Sequence, residues 1–266
     1  MSKIKNPLEL YKILPQSNCG KCFFPTCLAF AAAVIKGEKQ LADCPELDDS
    51  TIEAFARQID TRAPSDWKRE EVLASLKKQI AALDLSSSVS ALGGKMIGDK
   101  LSLRCLGKEF LVDPEGNVTS ECHTHAGLII PLLSYILQSK GPDISGDWLS
   151  FRELRGGSAM NSLFRQRGEL PLKQLADSQV DFFEDLVSLF SGEWAYKEFS
   201  SDIAIILYPL PKVPMLICYW KPEEDLKSVL NIFFDLTADR HLSIESIYSL
   251  SVGFVMMLKR ISLKHC

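Results

Sequence analysis

Four cysteines crowd into one short stretch, and no fold of this chain can ignore them. Cys19, Cys22, Cys27 and Cys44 follow the spacing Cys-x2-Cys-x4-Cys-x16-Cys. A cubane iron–sulfur cluster needs four thiolates converging on a unit a few ångströms across. The x2 pair sets two sulfurs on one tight loop, where Gly20 lets the backbone turn. Amides of such a loop can donate to cluster sulfurs and favour their negative charge. Cys27 falls at the start of an expected helix, where the positive end of the dipole stabilises a thiolate. That helix leads away by roughly 15 Å. The residues after Gly37 reach about 23 Å when extended, so Cys44 can return to its starting point. Pro45 then fixes the exit, and Phe23, Phe24 and Phe30 are placed to shield the cluster from water. One [4Fe–4S] cluster on Cys19, Cys22, Cys27 and Cys44 is the expectation.

Two other chemistries compete. A structural zinc site also takes four thiolates, but usually from two Cys-x2-4-Cys knuckles. Here Cys27 and Cys44 stand apart with a helix between them. A redox dithiol at Cys19 and Cys22 would leave Cys27 and Cys44 without a role, and no thioredoxin-like strand precedes the pair.

The remaining cysteines, Cys105, Cys122, Cys218 and Cys266, are scattered, which is unlike a disulfide-dense secreted scaffold. A chain of 266 residues, 46% hydrophobic, has enough for a sizeable core. Its net charge of -4 gives no general attraction to nucleic acid or to an anionic membrane. No apolar run approaches the roughly 20 residues of a membrane span, and no apolar leader precedes Pro7. A cytoplasmic protein is expected, with no nucleic-acid partner and no membrane span.

The fold class expected is α+β, in three segments: a helical cluster module over 1–60, a helical connector over 61–90 and a mixed domain over 91–266. In the module, Asn6 and Pro7 cap and open a short helix, a second runs from Pro25 or Thr26 to Lys36 with Gly37 as its stop, and a third spans Ser50–Ile59. The connector carries a helix from Trp67 to about Leu83, broken by Ser86-Ser87-Ser88. The last segment shows strand patterns at Lys100–Cys105 and Glu109–Val112 around a Gly107-Lys108 turn. Ile203–Tyr208 and Met215–Trp220 read as a hairpin, and Leu230–Leu236 as a further strand. Helices are expected at Ala126–Gln138, Val180–Phe190 and Ile244–Lys259. Strands and helices do not alternate regularly, which argues against a doubly wound sheet.

Leu14-Pro15-Gln16-Ser17-Asn18-Cys19-Gly20-Lys21-Cys22-Phe23-Phe24-Pro25-Thr26-Cys27-Leu28-Ala29-Phe30-Ala31, with Gly37 and Asp43-Cys44-Pro45 beyond, resembles the N-terminal [4Fe–4S] domain of the corrinoid/iron–sulfur protein large subunit. A related domain occurs in the B subunit of the Rnf electron-transport complex. One departure is Phe23, where the family's Cys-Gly-x-Cys-Gly pattern commonly has Gly; altered packing rather than altered ligation is expected. The rest of the chain does not resemble that subunit. Trp148-Leu149-Ser150-Phe151-Arg152-Glu153-Leu154 with Gly156-Gly157, and Phe234-Asp235 with Thr237-Ala238 and His241-Leu242, resemble the DUF3786 family. That family occurs in anaerobic bacteria, often fused to this module, and the resemblance implies an anaerobic setting without a defined activity.

Other chemistry-bearing groups also suit plainer roles. Cys122, His123 and His125 have ligand-type side chains but no fourth partner nearby, which suits an exposed loop. Gly156-Gly157 after Arg155 could cradle an anion, but it lacks the context of a dinucleotide loop and suits a turn. Asp235, Asp239 and His241 could form an acid–base group or serve as turn and cap residues. Arg152 and Glu153 suit an ion pair, Trp148 and Trp220 the core, and Cys105 and Cys218 buried strand positions. The expected function is relay of single electrons to a redox partner protein, a corrinoid protein being one setting implied by the resemblance. The alternative is a small-molecule-binding or catalytic α+β domain fed or sensed by the cluster.

Overall fold

The computed structural model describes residues 4, 6–36, 38–56, 58–59, 64–121, 126–139, 141–179, 181–195, 199–224 and 226–262. The chain divides into two compact units, Met1–Leu73 and Ala74–Cys266. A small helical unit is followed by a mixed one with two antiparallel sheets, an α+β architecture.

In the first unit Asn6 Oδ1 accepts the Leu8 amide at 2.9 Å and Pro7 opens α1 (Pro7–Tyr11). The second helix, α2 (Cys27–Ile35), starts just after Thr26, whose hydroxyl accepts the Ala29 amide at 3.1 Å. Its run of Ala, Phe, Val and Ile is apolar nearly all round, so Phe30, Ala31, Ala33, Val34 and Ile35 are buried. Gly37, its expected stop, lies outside the described residues. The return to Cys44 is not a plain extended strand. Leu41–Asp43 form a 3-10 turn between extended Gln40 and Cys44, closed by the Gln40 amide donating to Asp43 Oδ2 at 2.9 Å. The next helix, α3 (Asp49–Ala56), is shorter than expected, because Ile59 instead pairs with Ile4 in an isolated parallel bridge. Leu10, Leu14, Phe30, Ile35 and Leu41 share one core with Cys22, Cys27 and Cys44.

Two helices precede the first sheet: α4 (Pro64–Ile80), within which the division of units falls, and α5 (Leu85–Leu92). The serine run expected to break the chain lies inside α5. Asp84 explains this: its carboxylate accepts the Ser86 amide at 3.0 Å and hydroxyl at 2.7 Å, making the serines the first turn of a capped helix. The strands β1 (Lys95–Ile97), β2 (Lys100–Cys105), β3 (Lys108–Val112) and β4 (Val118–Ser120) then form a four-stranded antiparallel meander. The β2–β3 turn sits at Leu106-Gly107, one residue earlier than expected, both with positive φ (48° and 71°) as a tight hairpin requires.

Helix α6 (Ala126–Gln138) carries Pro131 in its interior. The five-stranded sheet has the order β5-β9-β8-β7-β6, all antiparallel. Its members are β5 (Trp148–Ser150), β6 (Glu193–Trp194), β7 (Ile203–Leu210), β8 (Val213–Trp220) and β9 (Val229–Asp235). Every residue of β8 from Val213 to Tyr219 is buried, as in a strand covered on both faces.

One helical stretch has no counterpart in the sequence reading: α7 (Gly157–Phe164), a π-helical turn at Arg165–Glu169 and α8 (Leu170–Ser178). Arg165-Gln166-Arg167-Gly168-Glu169 breaks the apolar period, and the wider π turn absorbs the mismatch. Then come α9 (Phe182–Phe190), α10 (Ala238–His241) and α11 (Ile244–Ser262). Val180, the expected start of α9, lies outside the described residues. Phe151 and Phe164 stack at 4.1 Å, with Phe234 edge-on to both at 6.3 and 6.0 Å. Gly157 makes this possible: a Cβ there would lie 1.8 Å from the Phe151 carbonyl oxygen. Among the described residues, no helix is long and apolar enough to cross a membrane.

Candidate metal centre

The loop before α2 is built from left-handed turns. Gln16, Asn18, Gly20 and Phe23 have φ of 56°, 49°, 71° and 66°. Interleaved with ordinary residues, such angles turn successive amides toward one side, making a concave surface that suits an anion. Gly20 takes its angle without a steric penalty, and its carbonyl accepts the Phe23 amide at 2.9 Å. Asn18 ties the loop to the helix. Its Oδ1 accepts the Cys27 amide at 2.8 Å, and its own amide donates to Cys27 Sγ at 3.4 Å. Cys27 is the first residue of α2, as its spacing led one to expect.

Cys22, Cys27 and Cys44 share one buried side-chain cluster. Burial pushes the Cys44 thiol up; the charges of Cys22, Cys27 and Cys19 push it further, and the Glu46 amide opposes them. So Cys44 feels all three other sulfurs, although it is 17 residues or more from each in sequence. Cys19 is the contrasting corner. It is exposed, and hydrogen bonds from the Lys21 amide and the Ser17 hydroxyl hold its thiol below the usual range. None of the four is in a disulfide. Among the described residues, no three Cys, His, Asp or Glu side chains gather closely enough to ligate a single ion. The donor set, the loop of amides and the absence of disulfides fit an iron–sulfur cluster.

Shielding is uneven. Phe30 is buried and meets Phe24 edge-on at 6.0 Å. Phe23 does not shield anything: it is 92% exposed. Its left-handed backbone sends the ring outward, and the same angle supplies a physical reason for Gly in the related Cys-Gly-x-Cys-Gly pattern. An ion pair of Lys21 with Glu46 joins the first loop to the exit after Cys44.

In the second unit the other candidates take structural parts. Buried Asp235 accepts the amides of Gly146 and Thr237 at 2.8 and 2.9 Å and the Thr237 hydroxyl at 2.6 Å, and Ser145 donates to it as well. Burial opposes its ionisation, yet these donors hold it below the usual carboxylate range. Asp239 accepts the Arg155 amide at 3.2 Å, and His241 Nδ1 meets Ser139 Oγ at 2.8 Å. No hydrogen bond joins Asp235, Asp239 and His241 to one another. Glu153 caps the Ser150 amide at 2.9 Å and hydroxyl at 2.6 Å instead of pairing with Arg152. Trp148 and Trp220 are half-buried beside Ala204, Leu216 and Cys218. Cys105 and Cys218 are buried, and burial pushes both thiols up. Cys122, His123 and His125 lie outside the described residues, as does Cys266.

Comparison with known proteins divides the chain in the same order. Residues 84–257 match the family model described as "Domain of unknown function (DUF3786)". Residues 14–46 match one described as "Putative Fe-S cluster". The N-terminal part is 56% identical over 45 residues to the acetyl-CoA decarbonylase/synthase complex subunit gamma 1 of Methanosarcina thermophila, covering 17% of this chain and 10% of that protein. It is 51% identical over 48 residues to the corrinoid/iron-sulfur protein large subunit of Moorella thermoacetica, covering 18% and 11%. The chain thus spans only about a tenth of the length of these curated relatives. No solved structure matches it.

Proposed function

Because this chain belongs to the DUF3786 family and carries an iron–sulfur-type segment ahead of that domain, we propose that it is an electron-transfer protein of anaerobic metabolism. In this reading one [4Fe–4S] cluster is held by Cys19, Cys22, Cys27 and Cys44, in a module over 1–60, with a connector over 61–90 and the α+β domain over 91–266. The observation that carries it is geometric: Cys22, Cys27 and Cys44 share one buried side-chain cluster, and the Asn18 amide donates to the Cys27 sulfur at 3.4 Å. When bound, such a cluster supplies reversible one-electron chemistry, with a potential set by hydrogen bonds to sulfur and by exposure.

The chain's own residues set those two levers. The Asn18 amide donates to the Cys27 sulfur, and the Lys21 and Glu46 amides favour charge on Cys19 and Cys44. Phe30, Leu10, Leu14 and Leu41 exclude water from the inner side of Cys22, Cys27 and Cys44. Cys19 alone is exposed, which gives electrons a short way out to a protein partner. The matched relatives are subunits of an acetyl-CoA decarbonylase/synthase complex and a corrinoid/iron–sulfur protein, which favours a redox partner protein, a corrinoid protein among them, and a cytoplasmic site of action.

The test is anaerobic purification followed by iron and sulfide analysis and EPR of the reduced protein. Four irons and four sulfides per chain with a low-potential, one-electron signal are expected. Stoichiometric zinc without sulfide would sink the reading.

A further inference from the structure

A cleft of about 510 Å³ opens on the second unit, lined by Gly141, Pro142, Arg155, Asp239 and Arg240. Its size falls in the range of small-molecule sites. Three separate stretches of chain build it: the segment after α6, the turn before α7, and α10.

The charges in it are unbalanced. Elsewhere in the unit, Lys95 pairs with Glu109, Lys173 with Asp177 and Lys212 with Asp143. Among the described residues, neither Arg155 nor Arg240 has a carboxylate within ion-pair distance. The one acid of the cleft is Asp239, and its Oδ2 accepts the Arg155 backbone amide at 3.2 Å. That bond braces one wall against the other and leaves both guanidinium groups uncommitted.

Beneath the cleft lies a second irregularity. His241 is fully buried, with Nδ1 on Ser139 Oγ and no hydrogen bond of good geometry at Nε2, although the Pro142 backbone also acts on the ring. Nε2 points at the cleft wall. A Cβ on Gly141 would sit 3.0 Å from Nε2 and 2.8 Å from Cε1, so only glycine lets the wall lie this close. Burial, with the charge of Lys212 adding to it, holds the ring below its usual pKa. The ring is placed directly behind the two arginines' cleft.

We propose that this cleft binds a phosphate ester bearing hydroxyl groups, of the nucleotide or sugar-phosphate class. Guanidinium forks match phosphate oxygens two at a time. The Asp239 oxygen not committed to the amide accepts a ligand hydroxyl, a contact that inorganic phosphate cannot make. The proposal goes beyond electron transfer and does not depend on it.

The test is isothermal titration of the full-length, cluster-loaded protein with ADP, ribose 5-phosphate, ribose and inorganic phosphate. One or both esters should bind, with ribose and inorganic phosphate at least tenfold weaker. ADP alone binding would assign a nucleotide; equal binding of both esters would assign the sugar phosphate as the part read. Arg155→Ala and Arg240→Ala should each weaken the ester about tenfold or more. Arg240→Gln, which removes the charge and keeps a polar side chain, should do the same, while iron content and the melting curve stay unchanged in all three. No ester binding at millimolar concentration, affinity indifferent to the three substitutions, or inorganic phosphate binding as tightly as the esters would overturn the proposal.

Discussion

The amide of Cys27 donates to Asn18 Oδ1 at 2.8 Å, and the amide of Asn18 donates back to the Cys27 sulfur at 3.4 Å. The pair is reciprocal across nine residues. It satisfies one of the free amides at the start of α2 and aims another at a candidate ligand sulfur. Asn18→Gly keeps the left-handed angle at φ 49° easy while removing the side-chain acceptor. Cluster retention should fall about 10- to 100-fold, and the potential should shift negative as the donor to sulfur loosens. Iron release to a chelator and redox titration report these separately.

Ligands and bystanders separate by substitution. Cys19→Ser, Cys22→Ser, Cys27→Ser and Cys44→Ser should each lower the iron content. Cys105→Ala and Cys218→Ala should keep it, each costing about 1 kcal/mol for a deleted buried group. Iron per chain, measured under argon, decides between a four-cysteine site and any wider set.

Phe23→Gly should stabilise the first unit. A left-handed φ of 66° costs a residue with Cβ about 1–2 kcal/mol, and a ring 92% exposed gives up no packing when it is removed. Offset by the extra unfolded-state entropy of glycine, about 0.5–1 kcal/mol, the net gain should be under about 1 kcal/mol. Thermal melts of the loaded protein monitored at the cluster's absorbance would show a higher midpoint; a lower one would mean the ring has a partner.

Asp235 makes the second unit sensitive to acid. Its folded pKa lies below the unfolded value of about 3.9. The stability it contributes is therefore fully present above about pH 4 and is lost as pH falls through the lower, folded value. Asp235→Ala leaves the amides of Gly146 and Thr237 without their acceptor and should cost about 3 kcal/mol at neutral pH. Denaturant melts at pH 7 and pH 3 test both statements: the wild type should lose stability between them, and the gap to the variant should narrow at the lower pH.

What could be read from sequence was chemistry acting over a few residues. Asn6, Pro7 and Thr26 cap or open helices as their types dictate, and Cys27 lands on a helix start because a cap precedes it. The β7–β8 hairpin and β9 follow from long apolar runs around Pro211-Lys212. What escaped depended on angle or distance. Nothing in the letters of Phe23 states the sign of its φ, so its ring was placed on the cluster instead of in water. The π turn at Arg165–Glu169 hides two helices, because it shifts the apolar period between them. Asp84 turned a serine run into a helix through contacts two residues away. The cleft at Arg155 and Arg240 joins residues that are 85 positions apart. The sequence offers Asp239 and His241 for acid–base work they do not share, and Gly156-Gly157 after Arg155 for an anion cradle or a turn.

The five-stranded sheet has a further consequence in how the protein behaves among copies of itself. Its three long strands, β7, β8 and β9, are rich in Ile, Leu, Val and Phe and would template aggregation if one lay at an edge. They are in the middle. The edges are β5 and β6, of three and two residues. Edges that short offer few free amides and carbonyls to a neighbouring chain. The order in which the strands are laid down thus guards against fibril growth, and lengthening β6 by substitution near Glu193 is a change that would put solubility at risk.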